Sequence, residues 1–246
     1  MSMAGKRVLI TGGGTGTGAD LARGFSEAGA EVVIAGRRME PLETVARGNG
    51  GIRAIRADVT DEGSVAALFA EAGPQDIVIA NAGAADSAPF TRTTLDEWNA
   101  MLAVNLTGVF LTFREGLKGM SAGGRLIAVA SVASLRGLAY TAGYTAAKHG
   151  VLGLVRSVAL EVAKKEITAN AICPGFIDTE MTGRTVVNIM AKTGRTREEA
   201  LAALTATSPL GRLIRPAEVT SSALWLASPG AAAVNGQAIV LNGGDA

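Results

Sequence analysis

The apolar residues of this chain gather into short runs, most of them stopped by glycine, asparagine, serine or proline and followed by a stretch of helical period. The runs are RVLIT at 7–11, VVIA at 32–35, IRAIRAD at 52–58, DIVIA at 76–80, RLIAVA at 125–130, ITANAIC at 167–173 and QAIVLNGG at 237–244. Runs that are apolar without alternation are what a parallel sheet buries on both faces, so each reads as a strand. The third is assigned from its β-branched residues and its boundaries, because Ile52, Ala54 and Ile55 alternate poorly. Helical stretches fall between the runs: after the glycines at 12–18, over 61–72, as one long helix over 94–120 with Thr93 or Thr94 as its N-cap, over 141–164, and from Pro216 onward. Strand and helix alternate along the chain, which predicts an α/β fold.

The first run ends in GGGTGTG, residues 12–18. Gly12, Gly16 and Gly18 allow the backbone to turn sharply, approach a pyrophosphate closely and pack the next helix on the sheet, with the helix N-terminal amides facing the anion. Glycines alone also read as a loop of no function; the strand before and the helix after favour a dinucleotide site. At the end of the second run, where a carboxylate would hold the ribose 2′-hydroxyl of NAD, the sequence has Arg37 and Arg38. A guanidinium fork suits the oxygens of a 2′-phosphate, so NADP(H) is the expected coenzyme and NAD(H) the alternative. The two arginines also read as solvated loop charges within reach of Glu40. Ligands lie at strand carboxyl ends in such sheets, which puts Asp58 and Asn81 on the coenzyme side unless they are ordinary turn residues.

The stretch SVASLRGLAYTAGYTAAK, residues 131–148, carries the candidate chemistry. Tyr144 and Lys148 are four apart and share a helix face, so an ammonium can stand beside the phenol. That charge would draw a phenol pKa of about 10 toward neutrality and make the tyrosine a proton donor and acceptor. Ser131 arrives at the carboxyl end of the fifth run. Asn105, between Val104 and Leu106, is either a local structural device or part of a polar relay. His149, the only histidine, points about 100° away from Lys148 around the helix and reads as a surface or packing residue. Cys173 reads as a small core residue.

Composition narrows the classes. With 246 residues, 48% of them hydrophobic, the chain can bury the core of one α/β domain or two small ones. Basic and acidic residues number 23 and 22, and no basic run is interleaved with aromatics, so no nucleic-acid partner is expected. One cysteine cannot build a disulfide framework, which suits a cytoplasmic location. MSMAGKRVLITGG has no long apolar segment before a cleavage site, so neither a signal peptide nor a membrane partner is expected. No metal site is expected either.

On the loop from Thr11 to Gly18, the Asp58-Val59 pair, Asn81-Ala82-Gly83, Asn105, Ser131, Tyr144 to Lys148, and Pro174-Gly175 with Ile177 and Thr179, the sequence resembles the short-chain dehydrogenase/reductase family over essentially its whole length. The resemblance implies one Rossmann-type domain over 1–246, a three-layer αβα sandwich with a seven-stranded parallel sheet. It implies a catalytic group of Asn105, Ser131, Tyr144 and Lys148. Coenzyme contacts are implied at Gly12, Thr15, Gly16, Thr17, Gly18, Arg37, Arg38, Asp58, Val59, Asn81, Ala82, Gly83, Tyr144, Lys148, Pro174, Gly175, Ile177 and Thr179. In the family Lys148 would also hold the nicotinamide ribose hydroxyls, Asn105 would bind a water leading to solvent, and the chain would form homotetramers. The segments CPGFIDTEM, SPLGRLIRPAEV and PGAAAVNGQAIVLNGG are similar to those of ketoreductases acting on oxoacyl thioesters and polyketides. Thr17, Ala80 and Ala128 depart from the family pattern.

Residues 178–213 read as the least regular part of the chain, with TREEALAALTA a short helix. Long excursions after a strand's carboxyl end commonly act as lids, so this one is expected to cover the substrate. Met181, Val186, Val187, Ile189 and Met190 point to a hydrophobic or acyl-bearing substrate, or else pack against the domain or a partner subunit. The expected activity is NADP(H)-dependent interconversion of a ketone, such as a 3-oxoacyl thioester, and a secondary alcohol, with Tyr144 as general acid and base. The alternatives are a dehydrogenase of a sugar, polyol or small secondary alcohol, and a non-catalytic nucleotide sensor, which the intact tyrosine and lysine disfavour.

Overall fold

The computed structural model describes residues 1–48, 50–206 and 208–245. Seven parallel strands form one sheet: β1 (Arg7–Thr11), β2 (Glu31–Gly36), β3 (Ile52–Arg56), β4 (Ile77–Ala80), β5 (Arg125–Val129), β6 (Thr168–Pro174) and β7 (Ala238–Leu241). Their order is β3-β2-β1-β4-β5-β6-β7. The winding reverses between β1 and β4, and at such a reversal the loops leaving the two strands part and open a crevice at the carboxyl edge.

Side chains alternate along a strand, so each apolar run feeds two cores. Val8, Ile10, Ile34, Ile79 and Ile127 belong to a core shared with Phe25 of α1 (Gly16–Glu27), Leu42 of α2 (Met39–Arg47) and Val219 of α9 (Pro216–Ala227). On the other face, Leu9 and Val33 pack with Leu68 of α3 (Glu62–Ala72), while Val78, Leu126 and Ala128 pack with Phe113 of α5 (Gly108–Lys118) and Val155 of α6 (Ala142–Val162). This is the three-layer arrangement the runs demanded, since a strand apolar on both sides is stable only with a helix layer on each. Each fully buried Leu, Ile or Phe contributes about 1.5–3 kcal/mol.

Three elements differ from the pattern reading, the first being α2, a helix between β2 and β3 that it did not assign. The single helix over 94–120 is divided into α4 (Leu95–Leu102), a π-helical turn over Ala103–Thr107, and α5. Its start is Thr94, whose hydroxyl accepts from the Glu97 amide while the Glu97 carboxylate accepts from the Thr94 amide, a reciprocal capping box. The stretch after β6 is more helical than its composition indicates, with α7 (Glu180–Thr193) ending at Gly194 in the left-handed conformation and α8 (Arg197–Thr205) opened by a Thr196–Glu199 capping box. Of its glycines, Gly194 ends α7, Gly183 lies within that helix, and Gly211 closes a turn by donating to the Ser208 carbonyl (2.9 Å).

Candidate active site

Every sequence-predicted position falls at or just beyond a strand's carboxyl end or on the helices facing that edge. The turn after β1 is built for close backbone approach. The Thr11 hydroxyl accepts from the amides of Asn81 (3.1 Å) and Ala82 (3.2 Å), and the Asn81 side chain donates to the carbonyls of Thr11 (3.0 Å) and Gly12 (3.2 Å). These four bonds tie β1 to β4 across the winding reversal. Gly12 has φ +69°, and a Cβ on Gly18 would lie 2.1 Å from the Gly12 carbonyl oxygen, so no side chain fits at either place. Helix α1 starts at Gly16 with Thr15 making no side-chain cap and with no acid in its first turn. Its first amides therefore face an open, electropositive cradle, and the residues present fit a pyrophosphate.

Arg37 and Arg38 lie exposed past the end of β2, and among the described residues no ion pair joins either to Glu40. Asp58 follows β3; its Oδ1 accepts from the Thr60 amide (2.9 Å) and hydroxyl (2.8 Å), a turn that fixes the carboxylate. The Thr60 amide does most to hold Asp58 below the usual carboxylate range, and the charge of Arg37 lowers it further. Val59 is buried against Gly108. At the end of β6, the Gly175 amide donates to the Leu241 carbonyl (2.9 Å), and Ile177 bridges to Ile214. Thr179 stands at the start of α7 close to the glycine turn, making no side-chain cap, with its Cγ2 3.3 Å from where a Gly16 Cβ would be.

The chemical group converges beside Gly83. A Cβ there would stand 2.9 Å from the Asn105 Oδ1 and 3.9 Å from the Lys148 Nζ, so two side chains from different helices close on one backbone point. Asn105 is fully buried. Its Nδ2 donates to the Ala84 carbonyl (2.9 Å) and to the Met101 carbonyl (3.1 Å), and its Oδ1 accepts from the Ala84 amide (3.3 Å). Taking its own i−4 carbonyl as a partner competes with the helix ladder, which accounts for the widened turn around it. These bonds hold the Asn105 amide between two backbone segments and orient it toward Lys148.

Lys148 is buried, and burial pulls its ammonium down to about 8 from an ordinary lysine value. Its Nζ donates to the Val129 carbonyl (3.0 Å) and lies 5.6 Å from the centroid of the Tyr144 ring. Burial raises the Tyr144 phenol, while a hydrogen bond with the Ser131 side chain pulls it the other way. The downward shift expected from the lysine is therefore corrected: loss of hydration dominates, and the ammonium is itself desolvated and engaged by Val129. Ser131 is held by the Ala133 amide, which donates to its Oγ (3.1 Å). Cys173 packs fully buried in the core beneath this group, and burial raises its thiol.

Tyr144 and Lys148 share a helix face as their spacing required, and Ser131 and Asn105 stand beside them. Sequence reasoning did not find the Val129 carbonyl as the lysine's anchor, nor Arg136 and Asp245, which pair the loop after Ser131 with the residues after β7. A backbone carbonyl leaves no mark in a sequence, and the arginine and aspartate are 109 residues apart. Among the described residues no group of three or more His, Cys, Asp or Glu could hold a metal ion, and no helix is long and apolar enough to cross a membrane.

Comparison with known proteins agrees with this fold. A family model described as enoyl-(acyl carrier protein) reductase matches residues 13–245. The chain is 37% identical to cis-4-hydroxycyclohexanecarboxylate dehydrogenase of Sinomonas cyclohexanicum, over 99% of this chain and 97% of that one. It is 34% identical to the 3-oxoacyl-(acyl-carrier-protein) reductase FabG of Vibrio harveyi, over 99% and 98%. The crystal structure of a variant actinorhodin polyketide ketoreductase with NADPH superposes with a TM-score of 0.91 at 32% identity, covering 100% of this chain and 99% of that one.

Proposed function

We propose, from the premise that this chain belongs to the short-chain dehydrogenase/reductase family, that it reduces a 3-oxoacyl thioester or a related ketone to the secondary alcohol with NADPH, and runs the reverse reaction with NADP. The observation that carries the reading is the convergence of Ser131, Tyr144 and Lys148 at the carboxyl edge, beside a glycine cradle that only a backbone can line. NADPH, when bound, supplies hydride to the carbonyl carbon. The Ser131 hydroxyl donates to the carbonyl oxygen and stabilises the charge developing there. Tyr144 passes its phenolic proton to that oxygen, so carbon gains the hydride, oxygen gains the proton, and a tyrosinate is left to be reprotonated from solvent. The ammonium of Lys148 stabilises this tyrosinate and, with its protons, reaches toward the coenzyme ribose. Asn105 holds the Ala84 backbone and so sets the wall against which Lys148 stands.

NADP(H) is the preferred coenzyme, supported by Arg37 and Arg38 at the end of β2, by the absence of a carboxylate there, and by the NADPH in the ketoreductase structure. The coenzyme would lie along Gly12 to Gly18, Asp58-Val59, Asn81 to Gly83 and Pro174 to Thr179. Residues 178–213 cover the substrate as a lid, with Met181 and Val187 exposed on α7 for contact with an acyl chain. The protein assembles as a cytoplasmic homotetramer; exposed Phe110 on α5 and Leu160 on α6, and Trp225 and Val240 on α9 and β7, supply apolar surface for two kinds of contact. A second reading, oxidation of a small cyclic secondary alcohol, is favoured by the relative at 37% identity that is named for a hydroxycyclohexanecarboxylate.

The deciding experiment titrates NADPH and NADH by fluorescence and then follows oxidation of NADPH with acetoacetyl-CoA, simple cyclic ketones and keto sugars. Tight NADPH binding with turnover of acetoacetyl-CoA supports the first reading. Turnover restricted to cyclic ketones supports the second, and no turnover with any carbonyl overturns both.

A further inference from the structure

The last residues after β7 do more than end the chain. The Gly175 amide, at the end of β6, donates to the Leu241 carbonyl (2.9 Å). The Asn242 carbonyl accepts from the Ser208 hydroxyl (3.0 Å), and the Gly243 carbonyl accepts from the Leu210 amide (3.2 Å), so the tail is bonded to the end of the 178–213 segment. The fit there is close: Gly243 has φ +68°, and a Cβ on it would stand 2.5 Å from the Ser208 Oγ and 2.5 Å from the Leu210 Cβ. The Asn242 side chain then folds the tail back, its Oδ1 accepting from the Gly244 amide (3.1 Å) and its Nδ2 donating to the Asp245 carbonyl. That turn delivers the Asp245 carboxylate to Arg136, whose NH1 donates to Oδ1 (2.6 Å) and whose NH2 donates to Oδ2. The Asp245 side chain is only 14% exposed and that of Arg136 34%, so the two-pronged pair is shielded on its acid side.

Arg136 lies on the loop that Ser131 opens; its amide donates to the Val132 carbonyl (3.2 Å), next to the serine. We propose that Asp245 and Arg136 are positioning residues, a clasp by which the chain's end fixes the Ser131 loop against the lid segment, so that the serine hydroxyl meets the Tyr144 phenol only when the lid's base is seated. A bidentate guanidinium–carboxylate pair specifies orientation as well as proximity, which is what a loop carrying a catalytic hydroxyl requires. Neither residue touches substrate or coenzyme in this role. The inference rests on the proposed ketone reduction for its activity readout but not for its structural one.

The test uses the full chain with Asp245→Ala, Asp245→Glu and the charge exchange Arg136→Asp/Asp245→Arg. Kinetics are measured with NADPH and acetoacetyl-CoA, and amide hydrogen exchange is followed over 131–140 in the coenzyme-bound protein. We expect Asp245→Ala to lower kcat about tenfold with KM for NADPH unchanged, to raise exchange across 131–140, and to be rescued in large part by Asp245→Glu and by the charge exchange. Unchanged exchange over 131–140 in Asp245→Ala overturns the clasp whatever the activity, and so does a kcat that falls only with the folded fraction. Absence of turnover in the wild type would sink the proposed substrate instead, leaving the exchange measurement to decide the clasp.

Discussion

The Lys148 ammonium stands 5.6 Å from the centroid of the Tyr144 ring, one helical turn away, with its Nζ bonded to the Val129 carbonyl at 3.0 Å. The tyrosine is thereby paired with a cation whose position is set by the sheet rather than by its own flexible stem. A lysine free to rotate would offer the same charge at a lower effective concentration. Here β5, which carries Val129, also delivers Ser131 two residues later, so the anchor of the ammonium and the serine share one rigid support.

Replacing Tyr144 with Phe removes the proton that, in the proposed mechanism, reaches the developing alkoxide, and leaves the ring packing in place. Turnover is expected to fall by about a hundred- to ten-thousandfold, with NADPH affinity little changed. Steady-state kinetics beside a fluorescence titration of coenzyme check this; near wild-type rates in the variant would remove Tyr144 from the mechanism.

Lys148 should make stability depend on pH in an identifiable window. Its folded pKa of about 8 lies below the ordinary lysine value of 10.5, so folding penalises the charged form. The penalty is fully present below about pH 8 and is relieved as pH rises toward the unfolded value. Lys148→Met, which keeps the stem and removes the charge, is therefore expected to be more stable than the wild type by up to about 3 kcal/mol near neutrality, and the gap should close toward about pH 10. Urea unfolding of the coenzyme-free proteins across that range measures it. A gap that widens with pH would contradict the burial of the ammonium.

Arg37→Ala and Arg38→Ala test coenzyme choice. If these guanidiniums hold a 2′-phosphate, at least one of the two changes weakens NADPH by about tenfold or more and leaves NADH nearly unaffected, since a charge-assisted hydrogen bond contributes about 1.5–3 kcal/mol. Equal weakening of both coenzymes would assign the arginines to general electrostatics.

Gly18→Ala places a methyl 2.1 Å from the Gly12 carbonyl oxygen, a backbone atom that cannot yield without opening the turn. A stability loss of about 1–3 kcal/mol is expected, together with loss of coenzyme binding. Thermal unfolding with and without NADPH reads both, because the coenzyme-induced rise in Tm should vanish in the variant.

Much of this protein was determined by its sequence alone. Runs such as IVIA in β4, buried at every position, have no stable home except a parallel sheet covered on both sides. The tyrosine and lysine four apart can only share a helix face, and the glycines after β1 mark where backbone must approach backbone. Local chemistry and period settle such matters, because the interactions they depend on lie within a few residues. Three things were decided by the tertiary structure. The Tyr144 phenol is raised because burial outweighs a lysine that is itself desolvated, and burial belongs to the packed whole. Asn105 sits in a widened helical turn because its side chain takes the Met101 carbonyl, while the Ala84 backbone, on a different segment, satisfies the rest of the amide. Arg136 meets Asp245 only after the chain has wound through β6 and β7, a proximity that loop closure over a hundred residues creates and that no local pattern encodes.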